Sequence, residues 1–306
     1  MRRVLVTGSS GHLGSHVLPV LADDGWSVTA LVAGPTPGSG PREYADRVVE
    51  GNAADPEVAR RAVAGADAVV HLAAIPAPGL AAAHVVFGQN SLATFCILDA
   101  AAEAGVGRAV VASSIAAMGL SFSPYGAQPP YLPIDEDVPT QAADPYALSK
   151  LADEATAAMI SRRSGMTTTC LRLPFLGDPA RLADRTRKFA DDPSAGRSEL
   201  WSYLDTRDAA RSIVSALARE PASDAGRDGR SQVLLVAAPE TLAPYPTEDL
   251  LDVFCADVPR RRRFPGRAVA FDTSRAEREI GFVARHVWPV DECPLPPDLQ
   301  SRKENR

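Results

Sequence analysis

The chain has 306 residues, 45% of them hydrophobic and 23% charged, with a formal net charge of −6. That is enough apolar material for one large or two unequal domains around a substantial core. The acidic balance argues against a nucleic-acid partner, and four scattered cysteines without a C-x-x-C pair suggest neither a disulfide framework nor a metal site.

The N-terminus passes straight into the apolar run Val4-Leu5-Val6, as expected for a strand buried on both faces of a parallel sheet. No leader and no membrane-spanning run is read, so a cytoplasmic protein with no membrane partner is expected. The run ends in Thr7-Gly8-Ser9-Ser10-Gly11-His12-Leu13-Gly14, followed by a helical pattern. Strand, glycine-rich turn and helix in that order are the context of a dinucleotide site. Glycine lets backbone approach a pyrophosphate closely, and the helix start supplies unpaired N–H donors. The spacing is G-x-x-G-x-x-G.

Strands and helices then alternate. Strands are expected at 28–32, 47–50, 68–72 and 109–112, with helices at 56–63 and 85–104. Repeated units of this length predict an α/β fold, a Rossmann-type doubly wound parallel sheet with ligands at the carboxyl ends of its strands. The loop 33–41, rich in glycine and proline, falls near where an adenosine ribose would lie.

In Asp144-Pro145-Tyr146-Ala147-Leu148-Ser149-Lys150, Asp144 is a good N-cap and Pro145 a good first helical residue. Tyr146 and Lys150 are then four residues apart on one helix face. A phenol has a pKa of about 10, and a positive charge within roughly 4–6 Å lowers an acid's pKa by about 1–3 units. The pair therefore suits proton exchange near neutral pH.

The glycine turn, His71-Leu72-Ala73-Ala74, Asn90 in the long helix, Ser113-Ser114 and Tyr146 with Lys150 occur in an order that resembles the extended short-chain dehydrogenases/reductases. These are also called the NAD-dependent epimerase/dehydratase family, and the likeness covers roughly residues 3–285. The resemblance implies that Gly8, Ser10, Gly11, His12, Leu13 and Gly14 hold the pyrophosphate. Leu72, Ala73 and Ala74 would pass along the adenosine side, Asn52 and Ala53 would meet the adenine, and Asn90, Pro174 and Leu176 would complete the cofactor contacts. It implies catalysis by Ser114, Tyr146 and Lys150, with Ser113 the competing hydroxyl and His71 a strand residue without a catalytic role. Tyr146 would act as general acid/base, Lys150 would also hold the nicotinamide ribose, and Ser114 would polarise the substrate oxygen. Dehydratases of the family carry an aspartate and a glutamate after this serine. Here Ile115 and Ala116 stand there, and with Phe175 they are expected to touch substrate rather than move protons.

After the second strand, Ala33-Gly34 replaces the acidic residue that would bind a ribose 2′-OH. With Ser9, Ser10 and Arg42 as available donors, the balance of expectation falls on NADP over NAD. The expected function is an NAD(P)-dependent oxidoreductase acting on a small or sugar-like alcohol or ketone. The alternatives are a nucleotide-sugar epimerase with tightly bound NAD and a non-catalytic NAD(P)-sensing protein. The resemblance also implies a homodimer formed through the helices of Asn90 and Tyr146, and there is partial likeness to the uronate-dehydrogenase-like branch.

The division expected is a dinucleotide-binding domain over 1–173, a small substrate-binding region over 174–285 interleaved with late strands, and a loose tail over 286–306. A strand is expected at 167–173 and another at 233–236. Residues 181–197 read as a surface helix with Arg181, Arg185 and Arg187 at face-sharing spacings. Asp205 or Thr206 reads as a helix cap, as do Thr247 and Ser274, and Arg260–Arg263 reads as a solvated loop.

Overall fold

The computed structural model describes residues 2–34, 40–219 and 230–304, so most of the glycine- and proline-rich loop 33–41 lies outside the described residues. The chain opens with β1 (Arg3–Thr7), α1 (His12–Asp23), β2 (Ser27–Val32), β3 (Arg47–Glu50), α2 (Pro56–Val63) and β4 (Ala68–His71). It continues with α3 (Ala83–Glu103), β5 (Arg108–Ser114), α4 (Pro145–Ser164), β6 (Thr167–Leu173), β7 (Phe175–Gly177), α5 (Pro179–Asp191) and β8 (Tyr203–Asp205). The last elements are α6 (Thr206–Ala218), β9 (Ser231–Leu235), α7 (Thr247–Phe254), α8 (Ser274–Ile280) and α9 (Pro297–Glu304).

Seven strands form one parallel sheet in the order β3-β2-β1-β4-β5-β6-β9. This is the Rossmann-type doubly wound sheet expected from the alternating pattern. Successive side chains of a strand point to opposite faces. Accordingly Val4 and Val6 pack with α1 and α6 on one side, while Leu5 and Val69 pack with α2, α3 and α4 on the other. The strand order reverses between β1 and β4, which opens the crevice where doubly wound sheets bind ligands.

A third apolar cluster lies beyond the carboxyl ends of the sheet, around Phe189, Trp201, Tyr203, Phe264 and Phe271. It carries a two-stranded parallel sheet of β7 and β8. α5 is amphipathic, with Leu182 and Phe189 fully buried. Arg181 and Arg185 share the face over Phe175, whereas Arg187 points away and pairs with Asp184. Six residues separate Arg181 from Arg187, more than one and a half helical turns.

Several local expectations need correction. The tail over 286–306 is not loose in its described part. The His286 N–H donates to Asp208 Oδ2 and the Trp288 N–H to Tyr203 Oη, each at 2.7 Å, and Leu295 and Leu299 are buried. A polar, proline-rich composition conceals such bonds because their partners lie some 80 residues away. Asp205 does cap α6, accepting from the Arg207 N–H at 2.8 Å. Thr247 and Ser274, by contrast, sit inside their helices and make no capping bond. Of the arginine run, Arg260 pairs with Glu248 and Asp252 and Arg261 stacks on Tyr131, while Arg261, Arg262 and Arg263 are exposed, as a solvated loop requires. α3 has the length and hydropathy of a membrane span, but half of that stretch is buried inside the fold, packed beside α2 and α4.

Candidate active site

The glycine turn ends β1 and starts α1. Gly8 adopts a φ of +64°, and a Cβ there would lie 2.7 Å from the Ala73 nitrogen. A Cβ on Gly14 would lie 2.4 Å from the Gly8 carbonyl oxygen. Only glycine permits this packing of turn, helix and β4 loop. Gly11, at the N-cap of α1, has no side chain to satisfy the first N–H groups, which leaves them for an anion.

A groove runs from Ala33, Gly51, Asn52 and Ala53 past Gly8, Ser10, Gly11, Leu72, Ala73 and Ala74. It joins a cavity of about 400 Å³ lined by His12, Leu13, Gly14, Ser114, Ile115, Ala116, Tyr146, Lys150, Pro174, Phe175 and Leu176. The structure thus brings most of the sequence-predicted site residues onto one continuous cleft. Its dimensions and its glycine cradle fit an extended dinucleotide.

The cleft walls are fixed by polar groups from β1 and β4. Thr7 Oγ1 accepts from the Leu72 and Ala73 N–H groups at 3.1 and 3.2 Å. It also lies 2.8 Å from His71 Nδ1, and His71 Nε2 lies 3.1 Å from Thr94 Oγ1. With Thr7 accepting twice, its own hydrogen goes to Nδ1 and the imidazole donates from Nε2. Burial, followed by the nearby Lys150 charge, drives the His71 pKa down to about 3, so the ring is a neutral brace.

Asn90 braces in the same way. Its Oδ1 accepts from the Ile75 N–H at 2.7 Å, and its Nδ2 donates to Ile75 O and Ser149 Oγ, both at 3.1 Å. Its side chain is therefore spent on holding the β4 loop to α4 and lines the groove without a free donor. Asn52 Oδ1 accepts from the Ala54 N–H at 2.9 Å, which leaves that oxygen one further lone pair.

Of the donors expected near a 2′-phosphate, Ser9 is buried and donates to Leu31 O at 3.1 Å, and Arg42 pairs with Glu50 at 3.4 Å. Ser10 alone of the three lines the groove.

At the other end, Asp144 Oδ1 accepts from the Tyr146 and Ala147 N–H groups at 2.9 Å each and caps α4. Tyr146 is 8% exposed, with Phe122 packed edge-on at 6.0 Å between ring centroids. Lys150 Nζ lies 5.7 Å from the centre of the Tyr146 ring and donates to Ala112 O at 2.9 Å and to Asp153 Oδ2 at 3.1 Å.

The two serines divide their work. Ser113 Oγ donates to Glu154 Oε1 at 2.6 Å inside a buried network with Arg172, whereas Ser114 Oγ accepts from the Ala116 N–H and keeps its hydrogen for the cavity. Ile115 and Ala116 are buried apolar wall. Gly119, which follows them, has a φ of +82° and no room for a Cβ against Gln141.

Sequence reasoning missed Phe122, Glu199 and Asp153. Phe122 and Glu199 carried no local signal. Asp153, one helical turn beyond Lys150, carried the spacing of a helix ion pair.

Residues 4–228 match the NAD dependent epimerase/dehydratase family. The UDP-glucose 4-epimerase of Corynebacterium glutamicum is 26% identical, covering 93% of this chain and 91% of that protein. That of Azospirillum brasilense is 35% identical over 56% of this chain and 48% of its own length. The L-arabinose 1-dehydrogenase (NAD(P)(+)) of Haloferax volcanii is 29% identical over 63% of this chain and 72% of its own. A short-chain dehydrogenase/reductase superfamily protein from Agrobacterium tumefaciens, solved with bound NAD, shares the fold with a TM-score of 0.67. It is 24% identical, with 99% of this chain and 95% of that one covered. Because the match runs through well over half of the sequence and takes in the glycine turn, Ser114, Tyr146 and Lys150, the chain belongs to the NAD dependent epimerase/dehydratase family.

Proposed function

We propose that the protein is an NAD(P)-dependent oxidoreductase acting on a small or sugar-like alcohol or ketone, with Tyr146 as general acid/base. The observation that carries this reading is that Ser114, Tyr146 and Lys150 line the same cavity as the glycine turn. Bound NAD(P) supplies the hydride acceptor or donor. Tyr146 takes the proton of the substrate hydroxyl in oxidation and returns it in reduction. Ser114 donates to the same oxygen and steadies charge as it develops. Lys150, with two N–H groups committed to Ala112 and Asp153, has one left for the nicotinamide ribose. Ile115 and Ala116 have no proton to give, which argues against water elimination.

The test is a panel of alcohols and ketones followed at the reduced-nicotinamide absorbance, with Tyr146→Phe as the control. Full turnover by that variant would sink the assignment. Parallel titrations with NADH and NADPH decide the cofactor. The missing acid after β2 supports NADP, while the commitment of Ser9 and Arg42 elsewhere weakens that support.

The likeness to UDP-glucose 4-epimerases favours a second reading, in which the same carbon is oxidised and re-reduced on retained NAD. Tightly held nucleotide in the purified protein, with no net cofactor turnover on any substrate, would select it.

We also propose a homodimer through α3 and α4. Val85, Leu92 and Phe95 are exposed on α3, which packs against α4, where Leu148 is half-exposed. Sedimentation of Leu92→Glu against the parent protein tests it.

A further inference from the structure

Asp153 is a carboxylate where the cleft needs none for binding. It lies on α4 one turn beyond Lys150, and its side chain is 1% exposed against 4% for the lysine. Oδ2 accepts from Lys150 Nζ at 3.1 Å, Oδ1 makes no close hydrogen bond among the described residues, and the Thr94 hydroxyl of α3 also favours the ionised carboxylate. A buried carboxylate with one oxygen unsatisfied costs stability, so its presence beside the site calls for a reason in the lysine.

The surroundings of Lys150 supply that reason. From β4, His71 faces it as a neutral ring. From β6 come Cys170, a thiol that burial pushes well above its ordinary pKa, and Arg172. On α4 itself, Glu154 is engaged by Arg172 Nε and Nη2 at 2.9 Å each and by Ser113. The second carboxylate in that network, Glu136, contacts Arg275 and the Leu235 N–H. The segment Ile115–Met118 is apolar. Asp153 is therefore the only carboxylate in this set that is not committed elsewhere.

We propose that Asp153 is a positioning residue that holds the Lys150 side chain in its ionised form and against the carbonyl of Ala112. Burial works against the Lys150 charge, by up to about 3–5 pKa units for a fully enclosed group. The Asp153 carboxylate, ahead of the Tyr146 oxygen, more than offsets this, and the lysine pKa stands above its ordinary value, while burial raises the Asp153 pKa as well, against the pull of Lys150 and the Thr94 hydroxyl. Without Asp153 the ammonium keeps one hydrogen bond, to the neutral carbonyl of Ala112. Its consequence for catalysis rests on the proposed role of Tyr146, which needs a charged neighbour. The ionisation of Lys150 itself does not.

The experiment therefore reads the lysine directly. The chain has three lysines, Lys150, Lys188 and Lys303. Protein labelled with 13C and 15N in lysine gives three side-chain signals, assigned by Lys188→Arg and Lys303→Arg and followed by NMR against pH. In the parent protein Lys150 stays protonated beyond the ordinary lysine pKa of about 10.4. In Asp153→Asn its titration moves down by about 1–3 pH units, and Asp153→Glu returns it toward the parent value. Asp153→Ser serves the same purpose should the asparagine variant fail to fold. A Lys150 titration unchanged in the neutral variants overturns the proposal. Because no turnover is measured, this outcome is separate from the Tyr146→Phe test, whose failure would sink the oxidoreductase reading alone.

Discussion

Glu154→Ala is expected to destabilise the fold by about 3–5 kcal/mol, the range for removing one partner of a buried ion pair. The carboxylate takes Arg172 Nε and Nη2 at 2.9 Å each and the Ser113 hydroxyl at 2.6 Å, and the two charged side chains are 9% and 5% exposed. In the variant, the Arg172 guanidinium keeps one bond, from Nη1 to Glu136 O at 3.2 Å. An exposed pair of the same chemistry would contribute only about 0–1 kcal/mol, so burial decides the magnitude. Equilibrium urea unfolding of the parent, Glu154→Ala, Arg172→Met and the double variant measures it. The double variant should lose clearly less than the two single losses added together, because the uncompensated charge is gone. A loss below about 1 kcal/mol for Glu154→Ala, or strict additivity, would refute the reasoning.

Gly8→Ala should abolish dinucleotide binding or weaken it more than about tenfold, since the new Cβ meets the Ala73 nitrogen at 2.7 Å in a left-handed backbone. NADH fluorescence titration reads this, and unchanged affinity would contradict the cradle. Tyr146→Phe should lower kcat by about 10²–10⁴ with cofactor affinity retained, the range for a lost general acid/base. Asp208 anchors the tail, accepting from the Arg285 and His286 N–H groups and pairing with Arg211. Burial raises its pKa, but the His286, Arg285 and Arg211 bonds prevail and leave it below the ordinary value. Its contribution is thus complete above the unfolded pKa of about 3.9 and is lost as pH falls through the lower folded value. Asp208→Asn should remove that acid dependence and speed proteolysis around residue 286. A parent-like pH profile in the variant would count against the anchor.

The sequence by itself determined the elements built from short windows. Val4-Leu5-Val6 with the glycine turn and α1, the alternating strands and helices, and the Asp144–Pro145 start of α4 are set by local periodicity and backbone preference. They fixed the sheet, the cleft and the side-by-side placing of Tyr146 and Lys150. Tertiary structure decided everything that depends on a distant partner. The Ser113 hydroxyl, at the cavity wall, is engaged by Glu154, 41 residues on, and the Ser9 hydroxyl by the Leu31 carbonyl. Asn90 is taken up by Ile75 and Ser149, and the tail by Asp208 and Tyr203. A hydroxyl or carboxylate reads the same in sequence whether it faces a ligand or another side chain. Only the packing of the elements around it assigns its hydrogen bonds, and so decides which groups are left for chemistry.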